Sequence, residues 1–252
     1  MSAEVQHGAG STVRYADYFA LQLRLAVLMA ERTGLALREA LDLYTNLRRR
    51  FGLFDADDPD WLAFKDQIVA APTADHRLAL TLKRHSQAPE VPRPAGQVPF
   101  GCFACDPPDD AGRVRIHFTN VDIGAEPGPL NAARRGERLA ELTAMFGYIR
   151  RTFPGARRVI GASWLYNLEA YRRLFPIEYG ASRRPTDEPV RLGGTSTWGQ
   201  MVDHRGLVKP ESRARFEAGL ETLDVERPWL VFPLRAMAAT APIEAFFDLY
   251  GA

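Results

Sequence analysis

Apolar residues recur at three- and four-residue steps through the first third of the chain. Leu21, Leu25 and Leu28 set that period over about residues 15–31, and Gly34 supplies a stop. Leu37, Leu41, Tyr44, Leu47 and Phe51 form a second stripe, closed by Arg48, Arg49 and Arg50, whose charge suits a helix C-terminus, and then by Gly52. Asp58 or Asp60 is placed to cap a shorter helix carrying Trp61, Phe64 and Ile68, and another helix is expected over about residues 75–85. From 86 to 97 the stretch SQAPEVPRPAGQ breaks helix and reads as a linker.

Beyond the linker the period becomes two. VPFGCFACD and RVRIHFTN read as the arms of a hairpin joined by PPDDAG, with Val114, Ile116 and Phe118 alternating against Arg113, Arg115 and His117. Leu139, Leu142, Phe146, Ile149 and Phe153 then mark a long helix over about 131–153, and ARRVIGAS follows as a strand. An amphipathic segment is expected over about 165–174, and RLGGTSTW as a last strand or extended piece. Helices are expected over about 210–223, 229–238 and 242–249. The pattern predicts an α+β protein: a loose tail over 1–14, a helical region over 15–86, and a mixed α/β domain over 98–252. That domain is built on a β-hairpin and a strand–helix–strand unit.

Charge narrows the picture. There are 32 basic and 31 acidic residues, a net charge of +1, so no global field draws in nucleic acid or an anionic membrane, and neither partner is expected. No stretch approaches the ~20 apolar residues of a membrane helix. The first fourteen residues lack an apolar signal segment, and two cysteines are too few for a disulfide framework. The expected location is therefore the cytoplasm. Cys102 and Cys105 stand alone as a C-x-x-C pair, which reads as two buried small hydrophobes and predicts no metal site.

The densest polar and aromatic cluster is GASWLYN, directly after a predicted strand, where ligand sites in α/β layers gather. Ser163, Trp164, Tyr166 and Asn167 would sit there. A parallel neighbour would bring His117 and Asn120 to the same edge. GGTSTWGQ adds Trp198 and Gln200. His117 is the candidate base, because an unperturbed imidazole titrates near neutral pH, and Tyr166 the candidate acid. Asn120, Ser163, Trp164, Asn167, Trp198 and Gln200 are candidate substrate contacts. The same residue types also serve structure: Trp and Tyr fill cores, and Ser and Asn cap helices. The nucleophile elbow G-x-S-x-G is incomplete at Gly161-Ala162-Ser163, and no Walker loop or G-x-G-x-x-G opens a helix.

Two resemblances carry over. IHFTNVDIGAEPGPLNAARR, SWLYN and STWGQMVDHRGLVKP resemble a family of bacterial hypothetical proteins over roughly residues 100–247. IHF at 116–118, Pro129-Leu130, Ser163-Trp164-Leu165 and Leu174-Phe175-Pro176 resemble, in order, motifs of acyltransferase-like proteins of the CoA-dependent N-acyltransferase superfamily. The second resemblance implies that fold, acyl transfer to a small polar substrate, and CoA or acyl-CoA as cofactor. The Arg/Gln-x-x-Gly-x-Gly/Ala loop of that superfamily is absent, so the resemblance speaks more for fold than for activity. Two further functions stay open beside it: a non-catalytic module binding a small molecule, and a protein-interaction module.

Overall fold

The structure, a computed structural model, describes residues 14–186 and 192–252. The expected tail therefore lies almost wholly outside the described residues. In chain order the helices before the sheet are α1 (Ala16–Thr33), α2 (Leu37–Tyr44), α3 (Leu47–Arg50), α4 (Pro59–Ala70) and α5 (Ala74–His85). The strands β1 (Val98–Phe100), β2 (Phe103–Cys105) and β3 (Arg113–Phe118) follow, then α6 (Arg135–Thr152) and β4 (Arg158–Ser163). After them come α7 (Glu169–Arg172), α8 (Ile177–Ala181), β5 (Arg184–Pro185), α9 (Thr195–Trp198), α10 (Pro210–Glu221), β6 (Met237–Pro242) and α11 (Glu244–Tyr250). The class is α+β, with helices first, as the periodicities predict.

Two compact units divide the chain: residues 1–94 with 188–233, and residues 95–187 with 234–252. The first division falls inside the Pro-rich linker. The later stretch 188–233, expected within the mixed domain, instead clusters with the helical unit.

The helical unit is organised around α1, which buries Tyr18, Phe19, Leu21, Leu25, Ala26 and Met29. Gly34, at φ 75°, ends it by donating its N–H to the Ala30 carbonyl. The expected single stripe over 37–51 divides into α2 and α3 at Thr45-Asn46. Thr45 is extended there, at φ −126° and ψ 154°. The reason is a competing acceptor: the Asn46 backbone N–H donates to Gln22 Oε1 at 2.8 Å, and its side-chain Nδ2 donates to the Tyr18 hydroxyl at 2.8 Å. Leu192, Trp198, Met201, Phe216, Leu220 and Phe232 complete the core from the later segment. The described part of RLGGTSTW, expected to be extended, carries the helical turn α9. A Cβ at Gly193 would lie 2.9 Å from the Asp42 carbonyl, so the glycine permits a close backbone approach.

In the mixed unit all six strands form one sheet, in the order β1-β2-β3-β4-β6-β5. VPFGCFACD, read as one arm, is itself a hairpin that reverses at Gly101, φ 59°. The β2–β3 hairpin follows, with Ala104 opposite His117. Its turn is set by Asp109, whose Oδ1 accepts from the backbone N–H groups of Ala111 and Arg113 at 3.1 and 2.9 Å. β3 and β4 are parallel neighbours, linked through α6. The helix expected over 229–238 is corrected to a 3₁₀ turn at Pro228–Val231 and the strand β6, which pairs antiparallel with β4 over six residues. MAATAP has no apolar period of its own, so its conformation comes from that pairing.

One sheet face is buried. Val114, Ile116, Val159, Ala239 and Ala241 pack with Leu142, Met145, Phe146 and Ile149 of α6, and with Tyr171, Tyr179 and Phe246. Alternation and register put Arg113, Arg115 and His117 of β3 on the opposite face. With them stand Arg158, Ile160 and Ala162 of β4, Ala238 and Thr240 of β6, and Arg184 of β5.

Candidate functional site

The residues of GASWLYN meet structural demands. Ser163 accepts the Leu165 N–H at 3.1 Å and so caps the 3₁₀ turn Trp164–Asn167. Asn167 Nδ2 donates to the carbonyls of Trp164 and Arg235 at 2.7 and 2.9 Å. Arg172 satisfies the Tyr166 and Asn167 carbonyls at 3.1 and 2.9 Å. Trp164 is half-buried against the core of this unit. Tyr166 is 1% exposed, and its hydroxyl lies 2.6 Å from that of Tyr179. Burial, reinforced by Tyr179, pushes the Tyr166 phenol well above its ordinary range. A proton donor sealed among Tyr171, Phe175 and Tyr179 has no path to a substrate, so the expected acid is instead a core hydroxyl.

Gly161 explains the first position of the motif. A Cβ there would fall 2.5 Å from the Tyr179 hydroxyl and deep inside contact distance of the Tyr166 hydroxyl. The strand must carry glycine where the paired phenols rise against it.

Trp198 and Gln200 belong to the helical unit. The Trp198 indole is fully buried and donates to the Tyr44 carbonyl at 3.1 Å. Gln200 Nε2 donates to the Thr197 carbonyl at 3.0 Å from a buried position. Both are core residues there.

His117 is different. It stands on the face opposite Val114 and Ile116, with its side chain 31% exposed, and its Nε2 lies 2.8 Å from Asp106 Oδ2. Gln97 donates to Asp106 Oδ1 at 3.2 Å. Burial works against the Asp106 carboxylate, but the His117 and Gln97 hydrogen bonds and the Arg115 charge hold it below its usual value. An anchored carboxylate thus fixes the orientation of the imidazole, as it does in acid–base and ligand-binding histidines. The parallel β3–β4 pairing puts the C-terminal ends of both strands, with His117 and Ser163, on the same side of the sheet, and Asn120 lies in the loop after β3. Parity separates them: Ser163 alternates with Ala162 onto the face of Val159 and Gly161, whereas His117 is on the other. Asn120 accepts the Asp122 N–H at 3.1 Å and shapes the loop after β3.

That loop leads to a constellation the sequence reading missed. Arg138 of α6 is 1% exposed. Its guanidinium contacts Glu137, lies 2.9 Å from Glu141 and 3.7 Å from Asp122, and donates to Cys102 Sγ in the β1–β2 turn. Arg134 joins Asp122 at 2.5 Å and Glu137 at 2.8 Å. Burial pushes the Cys102 thiol up despite Arg138, and burial raises Glu141 as well. A protonated thiol among charges already paired is a structural tie between turn and helix. The signal was in the spacing: Leu142 minus four is Arg138, so the apolar stripe of α6 continues one turn back onto an arginine. Among the described residues no group of three or more His, Cys, Asp or Glu is arranged to hold a metal. No helix among them is long and apolar enough to cross a membrane.

Comparison with protein-family models, with curated proteins and with solved structures finds no match for this chain.

Proposed function

We propose that the mixed unit is a small-molecule binding module whose ligand lies on the open face of the sheet, with His117 as its anchor. The observation that carries this reading is the His117–Asp106–Gln97 chain of hydrogen bonds: a side chain of β3 held by two that flank the ends of β2 and β1, partly exposed. Around it the face has a shallow floor, since Ala162, Ala238, Ile160 and Thr240 are small or half-buried, and Arg115 stands beside it. Convergent polar groups above a small-residue floor suit a compact polar ligand.

A second reading, an acyltransferase-like enzyme with CoA or acyl-CoA as cofactor, is favoured by the same pair, because a carboxylate-held imidazole is the arrangement a general base uses. In that reading His117 works without Tyr166, which is sealed in the core. A thermal-melt panel of acyl-CoAs, nucleotides, sugars and amino acids tests both. A ligand at 100 times its Kd adds about 2.7 kcal/mol, or roughly 5–10 °C for a chain of this size. A shift that disappears in His117→Ala supports binding at this face. Turnover of an acyl-CoA lost in His117→Ala with binding retained favours the enzyme. A panel in which neither a shift nor acyl-CoA turnover depends on His117 refutes both.

A further inference from the structure

We infer that the ligand of the open face carries two or more phosphate groups, an inference that rests on the binding reading above. Arg113 and Arg158 are register partners on adjacent parallel strands, and both point to this face and are exposed. Neighbouring strands lie ~4.8 Å apart, so two guanidinium-bearing side chains start from nearly the same place. Arg115 follows one pair along β3, ~7 Å away. Like charges directly opposite each other destabilise a sheet, so such a cluster carries a standing demand for anions.

The face meets that demand only in part. Asp109 pairs with Arg113 at 2.7 Å, and Asp106 feels the Arg115 charge while it is held by His117 and Gln97. Among the described residues Arg158 has one hydrogen-bond partner, the neutral Thr240 hydroxyl, at 3.4 Å. Arg115 makes no ion pair among the described residues. The other open-face positions of β4 and β6 are Ile160, Ala162, Ala238, Thr240 and Pro242, so those strands contribute no carboxylate to this face.

The donors also select the anion. Arginine forks pair with phosphate oxygens two at a time, and each phosphate offers several acceptors to converging forks. Three arginines within one residue pair of each other, with His117 further along β3, form an extended cationic strip better matched by linked phosphates than by one. No Phe, Tyr or Trp of the described strands lies on this face, so it lacks the stacking platform that single-stranded nucleic acid uses. The chemistry points to a small oligophosphate group.

The test is calorimetric titration of the full chain with orthophosphate, pyrophosphate, tripolyphosphate and citrate at fixed ionic strength. Tripolyphosphate is expected to bind at least tenfold more tightly than orthophosphate and more tightly than citrate. Arg158→Gln and Arg115→Gln should each weaken it at least fivefold, Arg158→Lys by less, and Arg213→Gln on α10 not at all. Equal affinity for all four anions, or full affinity in Arg158→Gln, overturns the inference. A neutral ligand that depends on His117, with no oligophosphate bound, overturns the inference and leaves the binding reading standing. If no ligand depends on His117, the binding reading itself falls.

Discussion

Replacing Gly161 with alanine puts one methyl group against two buried hydroxyls of the mixed unit. The new Cβ would stand 2.5 Å from the Tyr179 hydroxyl and closer still to that of Tyr166, whose ring carbon behind the hydroxyl is at 3.2 Å. Neither ring has room to retreat, because Tyr166 packs on Tyr171 and Tyr179, and Tyr179 on Phe175 and Phe246. Overpacking of this kind costs about 1–3 kcal/mol. Loss of the phenol–phenol hydrogen bond, 2.6 Å long in a buried site, adds about 1 kcal/mol. The expected sum is about 2–4 kcal/mol in urea unfolding, or roughly 4–16 °C in Tm. The decisive assay repeats Gly161→Ala in a Tyr166→Phe/Tyr179→Phe background, where both obstructing oxygens are gone and the cost should fall below about 1 kcal/mol. Equal costs in the two backgrounds would refute the steric account and return GASWLYN to the list of candidate ligand contacts.

Removing the Arg138 guanidinium as Arg138→Met should cost about 3–5 kcal/mol in urea unfolding, since Glu141, Glu137 and Asp122 lose their buried cation. The variant should regain part of that loss on acidification, as Glu141, which burial already favours in its neutral form, protonates. His85 is held neutral by burial, with Arg50 adding to the effect, and its pKa is pushed down to about 4. The unfolded chain binds that proton near pH 6.5 and the native one only near 4, so stability should fall across that window as pH drops, by about 3 kcal/mol, and His85→Leu should flatten the profile. Asp106 has a depressed pKa in the folded state. Its stabilisation is present above the ordinary carboxylate value near 4 and is lost below it, so Asp106→Asn should remove part of the acid limb of a stability curve. Trp198→Phe leaves the buried Tyr44 carbonyl without its donor and should cost about 1–3 kcal/mol.

The sequence made the helices of the first third legible because they are amphipathic, and the strand–helix–strand unit because its period switches from two to 3.6 and back. What it concealed was set by partners distant in the chain. The break between α2 and α3 depends on Gln22, more than twenty residues before it. β6 is a strand only because β4 offers it six partners. The segment around Trp198 reads as part of the mixed domain until its burial with Phe216 and Phe232 assigns it to the helical core. In the candidate site, the alternation Arg113, Arg115, His117 was visible, but Arg158 joined it only through register. Tyr166 looked available as an acid because sequence cannot tell a cleft from a core, and its phenol closes against Tyr179 in the core.

The central claim is that His117, held by Asp106, anchors a ligand on the open sheet face. Imidazole NMR of histidine-labelled protein tests it most directly, with Asp106→Asn as the control and tripolyphosphate as the titrant. The account predicts that the His117 ring resonances move saturably with the titrant, at the same midpoint as calorimetric binding, and that the movement weakens in Asp106→Asn. Resonances of His117 that stay fixed while the protein binds the titrant would place the site elsewhere and contradict the account.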